Sequence, residues 1–203
     1  MTTQLLLPSA RILGVALFGL LSGAAASAGE ARVGDLEAAL GPSQPDARDR
    51  AEILNLVALY SHLADGLETD LWGRFFTEDA LFRIHPPTAH PDVAPDPIVW
   101  RGRAAIVAAI RPRHEAFRRR REQRRHFITN PIVWHQTEAS ARVAAYLQLV
   151  SSIDGGPARM IGTGRYEGRV IRTHAGWRMA EWTIHSDQQM ADEALPKQPV
   201  GSN

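Results

Sequence analysis

Residues 141–186 read ARVAAYLQLVSSIDGGPARMIGTGRYEGRVIRTHAGWRMAEWTIHS. Val143, Ala145, Leu147 and Leu149 alternate with their neighbours, which predicts a half-buried strand over 141–153. Asp154-Gly155-Gly156-Pro157 reads as a turn. A long strand is expected over 159–173, a turn at His174-Ala175-Gly176, and a last strand over 177–186. Strands joined by connections this short pair antiparallel. Gly162, Gly164 and Gly168 share the parity of Tyr166. Glycines there let the long strand bend and leave room on that side. Tyr166 is then a polar tip in an open wall, or the group that fills the space.

Upstream the period changes. Ile53, Leu56, Val57, Tyr60, Leu63, Ala64 and Leu67 lie on one helical face between residues 48 and 67. Asp46 is placed to cap the start, and Gly66 to supply a left-handed stop. A short helix is expected over 69–75, anchored by Trp72, Phe75 and Phe76, then a short strand over 80–85. Pro86, Pro87, Pro91, Pro95 and Pro97 make the next segment a loop. A short strand over 98–101 leads through Gly102 into a helix over 103–110. Pro112 is expected to break or kink that helix, with helix resuming to about residue 123. Another strand is expected over 125–134, bulged at Pro131. Helices followed by an antiparallel meander make an α+β domain: three N-terminal helices packed on a strongly curved, mixed, mainly antiparallel sheet. A pocket is expected between the concave face and the helices.

Residues 12–26, ILGVALFGLLSGAAA, carry no charge, follow Arg11 and precede Ala26-Ser27-Ala28. That pattern predicts a signal peptide over 1–28, hence a secreted or periplasmic protein without stable membrane insertion after cleavage. A membrane anchor and a mis-assigned start are the alternatives. A flexible arm over 29–45, a domain over 46–187 and a flexible tail over 188–203 complete the organisation.

The chain has no cysteine, which excludes disulfides, thiolate nucleophiles and cysteine metal sites. Lys and Arg number 23 against 22 Asp and Glu. The near-balance argues against a generic polyanion binder. Residues 111–125 nevertheless hold eight arginines against Glu115 and Glu122, and only Phe117 interleaves them. That segment reads as a solvated helix face, with an anionic substrate, a membrane surface or a partner protein as the alternatives, and no nucleic-acid partner is expected. His85, His90 and Asp92 lack a recognised ligand spacing, so no metal is expected.

Several segments match a known family in order and spacing. They are 53–66, Leu71-Trp72, Phe75-Phe76-Thr77-Glu78-Asp79-Ala80, Gly102-Arg103-Ala104-Ala105-Ile106, Arg125-His126-Phe127-Ile128-Thr129-Asn130, Gly164-Arg165-Tyr166 and Gly176-Trp177-Arg178. Over about residues 47–187 the chain resembles the SnoaL-like branch of the nuclear transport factor 2 superfamily. The resemblance implies a cone-shaped α+β barrel with one ligand cavity, and a homodimer formed through the sheet. It also implies that His126 is a general base and that Asp65 orients it, as in similar dehydratases and dehydrohalogenases. The second histidine of scytalone-dehydratase-type sites falls near Ser151. The cationic positions of lindane-type dehydrohalogenases fall at Tyr60 and Trp182. Neither specific reaction therefore carries over.

Beside that pair, Tyr60 shares the buried helix stripe and can donate to a substrate oxygen, or simply pack. Asn130 lies four residues after His126, the same side of a regular strand. Trp72, Phe76 and Tyr166 complete the expected substrate-binding set, as cavity wall or as core. The reading is a lyase- or isomerase-type enzyme that moves a proton with no cofactor, acting on a small apolar or aromatic molecule. The alternatives are a non-catalytic binding module of the same fold and a structural protein with a filled core.

Overall fold

The computed structural model describes residues 46–87 and 95–188. The expected leader, the arm, residues 88–94 of the proline-rich loop and the tail after Gln188 lie outside the described residues. Helix α1 (Ala47–Asp65) and the short α2 (Thr69–Gly73) precede β1 (Phe76–His85) and β2 (Ile98–Arg101). Helix α3 (Arg103–Arg119) leads into β3 (Glu122–Trp134), β4 (Ser140–Ile153), β5 (Arg159–Thr173) and β6 (Gly176–Ser186). The six strands form one sheet in the order β2-β1-β6-β5-β4-β3. Only β1 and β6 pair parallel, and every other neighbour is antiparallel. The meander β3–β6 is as the turns predicted. β2 and β3 are edges, so the curved sheet does not close into a barrel.

Asp46 caps α1 by accepting from the amides of Arg48 and Asp49 at 2.7 and 3.3 Å. Ile53, Leu56, Val57, Tyr60 and Ala64 form its buried stripe, as the periodicity predicted. The stop differs from expectation. Gly66 stays right-handed at φ −75°, and Leu67 takes the left-handed conformation at φ 58°. The amides of Gly66, Leu67 and Glu68 return to carbonyls of the last turn, which holds Leu67 there.

Helix α3 is a second departure. It runs unbroken through Pro112 to Arg119, and β3 begins at Glu122 rather than 125. Pro112 is exposed, so the one missing amide bond falls on the solvent side. Arg120 and Arg121 make the reversal, with Arg121 at φ 52°.

The sheet bends at register shifts between Thr129 and Ile132, Leu149 and Val150, and Arg169 and Val170. Gly164 and Gly168 on β5 serve close approach rather than open space. A Cβ on Gly168 would meet Met179 Sδ at 2.7 Å and Trp182 Cε3 at 2.8 Å. A Cβ on Gly164 would run into the backbone of His185. Trp182 thereby lies stacked on Tyr166, ring centroids 4.7 Å apart.

Candidate active site

β3 is an edge strand, so part of its backbone needs partners other than β4. Asp65, the last residue of α1, supplies one. Its Oδ2 accepts the His126 amide at 3.0 Å, and its Oδ1 lies 2.5 Å from His126 Nδ1. A carboxylate accepts here, which assigns a proton to Nδ1, and in the neutral imidazole that tautomer puts the lone pair on Nε2. The side chains are 9% and 16% exposed. His126 is the member that lines a cavity of about 250 Å³ between the helices and the sheet. The walls are largely apolar: Leu147 and Leu149 from β4, Ile184 from β6, Phe82 and Ile84 from β1, Ile110 from α3.

Tyr60, Trp72 and Tyr166 line the same cavity. The Tyr60 ring stands edge-on to His126, centroids 5.9 Å apart. Burial raises the Tyr60 pKa, opposed by Tyr166, Trp182 and Arg113, whose polar groups favour negative charge on its oxygen. Burial likewise holds Tyr166 well above the ordinary phenol value. Both phenols are therefore protonated donors at neutral pH. Tyr166 Oη and Trp182 Nε1 lie close enough to act on Tyr60, yet neither makes a well-aligned hydrogen bond. Trp72 Nε1 is also buried without a partner among the described residues.

Two residues of the expected set are not brought to the cavity. Asn130 is exposed at φ 52°, in the register shift before Pro131, because the bulge ends the alternation that began at His126. Phe76 is fully buried behind Trp72, packed on it at 4.9 Å and on Phe82 at 5.8 Å. It belongs to the core under the wall.

Three lining groups went unread in the sequence: Arg113, His114 and Arg124. Ile106, Ile110, Arg113, His114 and Phe117 continue one helix face across Pro112. Taking the proline as a break cut that stripe short. His114 Nδ1 lies 2.8 Å from Thr69 Oγ1. Burial, with help from the charges of Arg118, Arg113 and others, pushes the imidazole down to about 4, so it is neutral at pH 7. Arg124 stacks 3.9 Å over the Phe117 ring and donates to Glu122 at 2.6 Å. Burial works to raise the Glu122 pKa, but hydrogen bonds from Arg120, Arg124 and Ser151 outweigh it and lower it overall. Burial and the neighbouring Arg124 push Arg113 down to about 10, still cationic at pH 7. The arginine segment is thus not one solvated face. Arg113 and Arg124 turn inward, while Arg111 and Arg121 pair outside with Asp70 and Asp154.

The described residues contain no group of three His, Asp or Glu able to hold a metal ion. His85 stacks on His185 at 4.8 Å, while His90 and Asp92 lie outside the described residues. No described helix is long and apolar enough to cross a membrane.

A model of the SnoaL-like domain matches residues 45–183. A comparison with curated protein sequences gave no match. Among solved structures, the chain is similar to a candidate aromatic ring hydroxylase from Novosphingobium aromaticivorans. Identity is 26% and the TM-score 0.54, over 70% of this chain and 92% of that one. A Mycobacterium tuberculosis protein of unknown function is 24% identical with a TM-score of 0.57, over 76% and 80% of the two chains. A Catenulispora acidiphila protein in complex with S-DNPA is 22% identical with a TM-score of 0.52, over 70% and 96%. The last two likenesses are of fold alone.

Proposed function

The chain belongs to the SnoaL-like domain family, and from that premise we propose that its cavity performs cofactor-independent proton transfer on a small apolar or aromatic carbonyl compound. The observation that carries the reading is the double acceptance by Asp65 of the His126 amide and Nδ1–H. A carboxylate in that position fixes the tautomer and stabilises the imidazolium that forms when Nε2 takes a proton. In the proposed step, Nε2 removes the proton from the carbon next to the carbonyl. The C–H electron pair moves into the enolate, whose oxygen accepts from Tyr60. In a β,γ-unsaturated ketone the enolate is a dienolate, and return of the proton to its γ-carbon moves the double bond into conjugation and completes an isomerisation. Delivery of the proton to a departing β-hydroxyl, lost as water, completes a dehydration. Neutral phenols suit this role, because a donor in a dry site stabilises developing oxyanion charge strongly.

The test is deuterium uptake from heavy water by a panel of cyclic and aromatic ketones, followed by NMR. The wild type is expected to exchange the α-proton of at least one compound, and His126→Ala to lose that exchange at unchanged circular dichroism. Full exchange by His126→Ala would overturn the assignment. We also propose export, with residues 1–28 removed, on the strength of the apolar run and Ala26-Ser27-Ala28.

A further inference from the structure

We propose that His114 donates from Nε2–H to a second oxygen of the ligand, a neutral acceptor such as a ring carbonyl or ether, apart from the oxygen held by Tyr60. The inference rests on the proton-transfer reading for the place of the reaction, but its evidence is separate. His114 is 5% exposed and lines the cavity from α3. Ile106, Ile110 and Phe117 on the same helix stripe are apolar, so a leucine at this position would continue the stripe at no polar cost. The Nδ1 atom is held at 2.8 Å by the hydroxyl of buried Thr69, at the start of α2. The two nitrogens of an imidazole point in roughly opposite directions, so Nε2 is turned away from Thr69. It has no hydrogen-bond partner among the described residues, while its ring lines the cavity.

The surroundings of Thr69 decide which nitrogen carries the proton. Its hydroxyl has two acceptors in reach, Nδ1 at 2.8 Å and the Leu67 carbonyl at 3.5 Å. That carbonyl already accepts the Thr69 amide at 3.0 Å and the Arg118 guanidinium. The nearer acceptor takes the hydroxyl proton, which assigns the ring proton to Nε2. Burial, and the charges of Arg118, Arg113 and His126, work against a second proton, so the donor stays neutral at pH 7. His114 thus offers the cavity one neutral donor and no lone pair. His126 is its complement, with the proton on Nδ1 and the lone pair on Nε2. The Trp72 ring contacts both the Tyr60 and the His114 rings, at 6.0 and 6.3 Å between centroids, so the two donors stand on different parts of one wall. A buried donor left without an acceptor is costly, which selects a ligand with an oxygen at this place over one with a methylene.

The test uses matched probes on the intact protein: 5-, 6- and 7-methoxy-1-tetralone against the 5-, 6- and 7-ethyl compounds, titrated by tryptophan fluorescence. The wild type is expected to bind at least one methoxy compound about fivefold or more tightly than its ethyl counterpart. His114→Leu should erase that preference. His114→Gln, whose amide can accept from Thr69 and still donate, should retain part of it. Thr69→Val should weaken it, because the ring proton is no longer fixed on Nε2, and His126→Ala should keep it. A wild type with no methoxy preference at any position, or with no binding of any probe at millimolar concentration, overturns the proposal without any variant. So does an unchanged preference in a folded His114→Leu. Absence of deuterium exchange in the wild type alongside an intact methoxy preference would instead reject the proton-transfer reading and leave the His114 contact standing.

Discussion

A carboxylate at the last position of a helix opposes the helix dipole. Asp65 offsets that penalty by taking two donors from His126. Asp65→Asn removes the charge and offers an amide that can present a donor to Nδ1, so the wrong tautomer is favoured. Exchange activity should fall by about a hundredfold or more, with the fold intact by circular dichroism. Activity within a few-fold of wild type would show that the pair is structural. His114 makes a prediction of the opposite kind. It titrates near 4 in the fold against 6.5 ordinarily, chiefly through burial. The unfolded chain therefore binds the proton more readily. Stability from this group is complete above about pH 6.5 and falls as pH drops towards 4, by up to about 3 kcal/mol. His114→Gln keeps a polar partner for Thr69 and should lose less stability between pH 7 and 4.5 in urea denaturation. Parallel acid limbs would refute the link. At this scale the pair Asp65 and His126 came from the family resemblance rather than from the helix stripe, which leaves Asp65 out, and the fold brings the two side chains together. Asn130 was misread, because the irregularity expected at Pro131 already includes Asn130, where the alternation from His126 has ended.

Helix α3 shows where element-level reading fails. Proline in a helix interior costs about 3 kcal/mol in isolated hosts, and on that ground the stripe was ended at Ile110. Tertiary burial of Ile106, His114 and Phe117 outweighs the local penalty. The sequence did contain the signal, in the unbroken spacing 106-110-113-114-117. Pro112→Ala restores an amide donor on the exposed face and should stabilise the fold by about 1–3 kcal/mol, read as a higher urea midpoint at unchanged slope. A lower midpoint would mean that the proline sets the path of the helix. Strand β5 makes the reverse point. Its glycines were read as giving curvature, with or without room for a ligand, and at Gly164 and Gly168 that room is taken by β6. Gly168→Ala should cost about 1–3 kcal/mol through overpacking against Trp182 and Met179. A stability change near zero would show that those two side chains, and the Glu181 carbonyl 2.8 Å from the added Cβ, can yield.

At the scale of the molecule, the net charge of +1 conceals a division of labour across the sheet. On the outer face, β1, β6 and β5 tie their charges together: Arg83 and Arg169 to Glu181, and Arg165 to Glu167. On β3 and β4 the outer face instead carries two exposed rings among Gln123, Arg125, Gln148 and Arg142. Phe127 and Tyr146 are 50% and 58% exposed, although each follows or precedes inward residues of the cavity wall. Phe127 pairs with Gln148 and Tyr146 with Thr129, so the two rings are diagonal neighbours on one face. Pairing of like faces in a homodimer, which the family resemblance implies, would cover this half and leave the ion-paired half wet. A two-fold contact repeats each residue against its own partner patch, so a single charge there acts twice. Sedimentation velocity at micromolar concentration should find a dimer for the wild type. Phe127→Glu and Tyr146→Glu should each give monomers that remain folded. A monomeric wild type, or variants that stay dimeric, would place the contact elsewhere or remove it. Phe127 is next to His126 in sequence but faces away from the cavity. Tyr146→Glu on β4 is therefore the cleaner variant for asking whether dimerisation also matters to proton exchange.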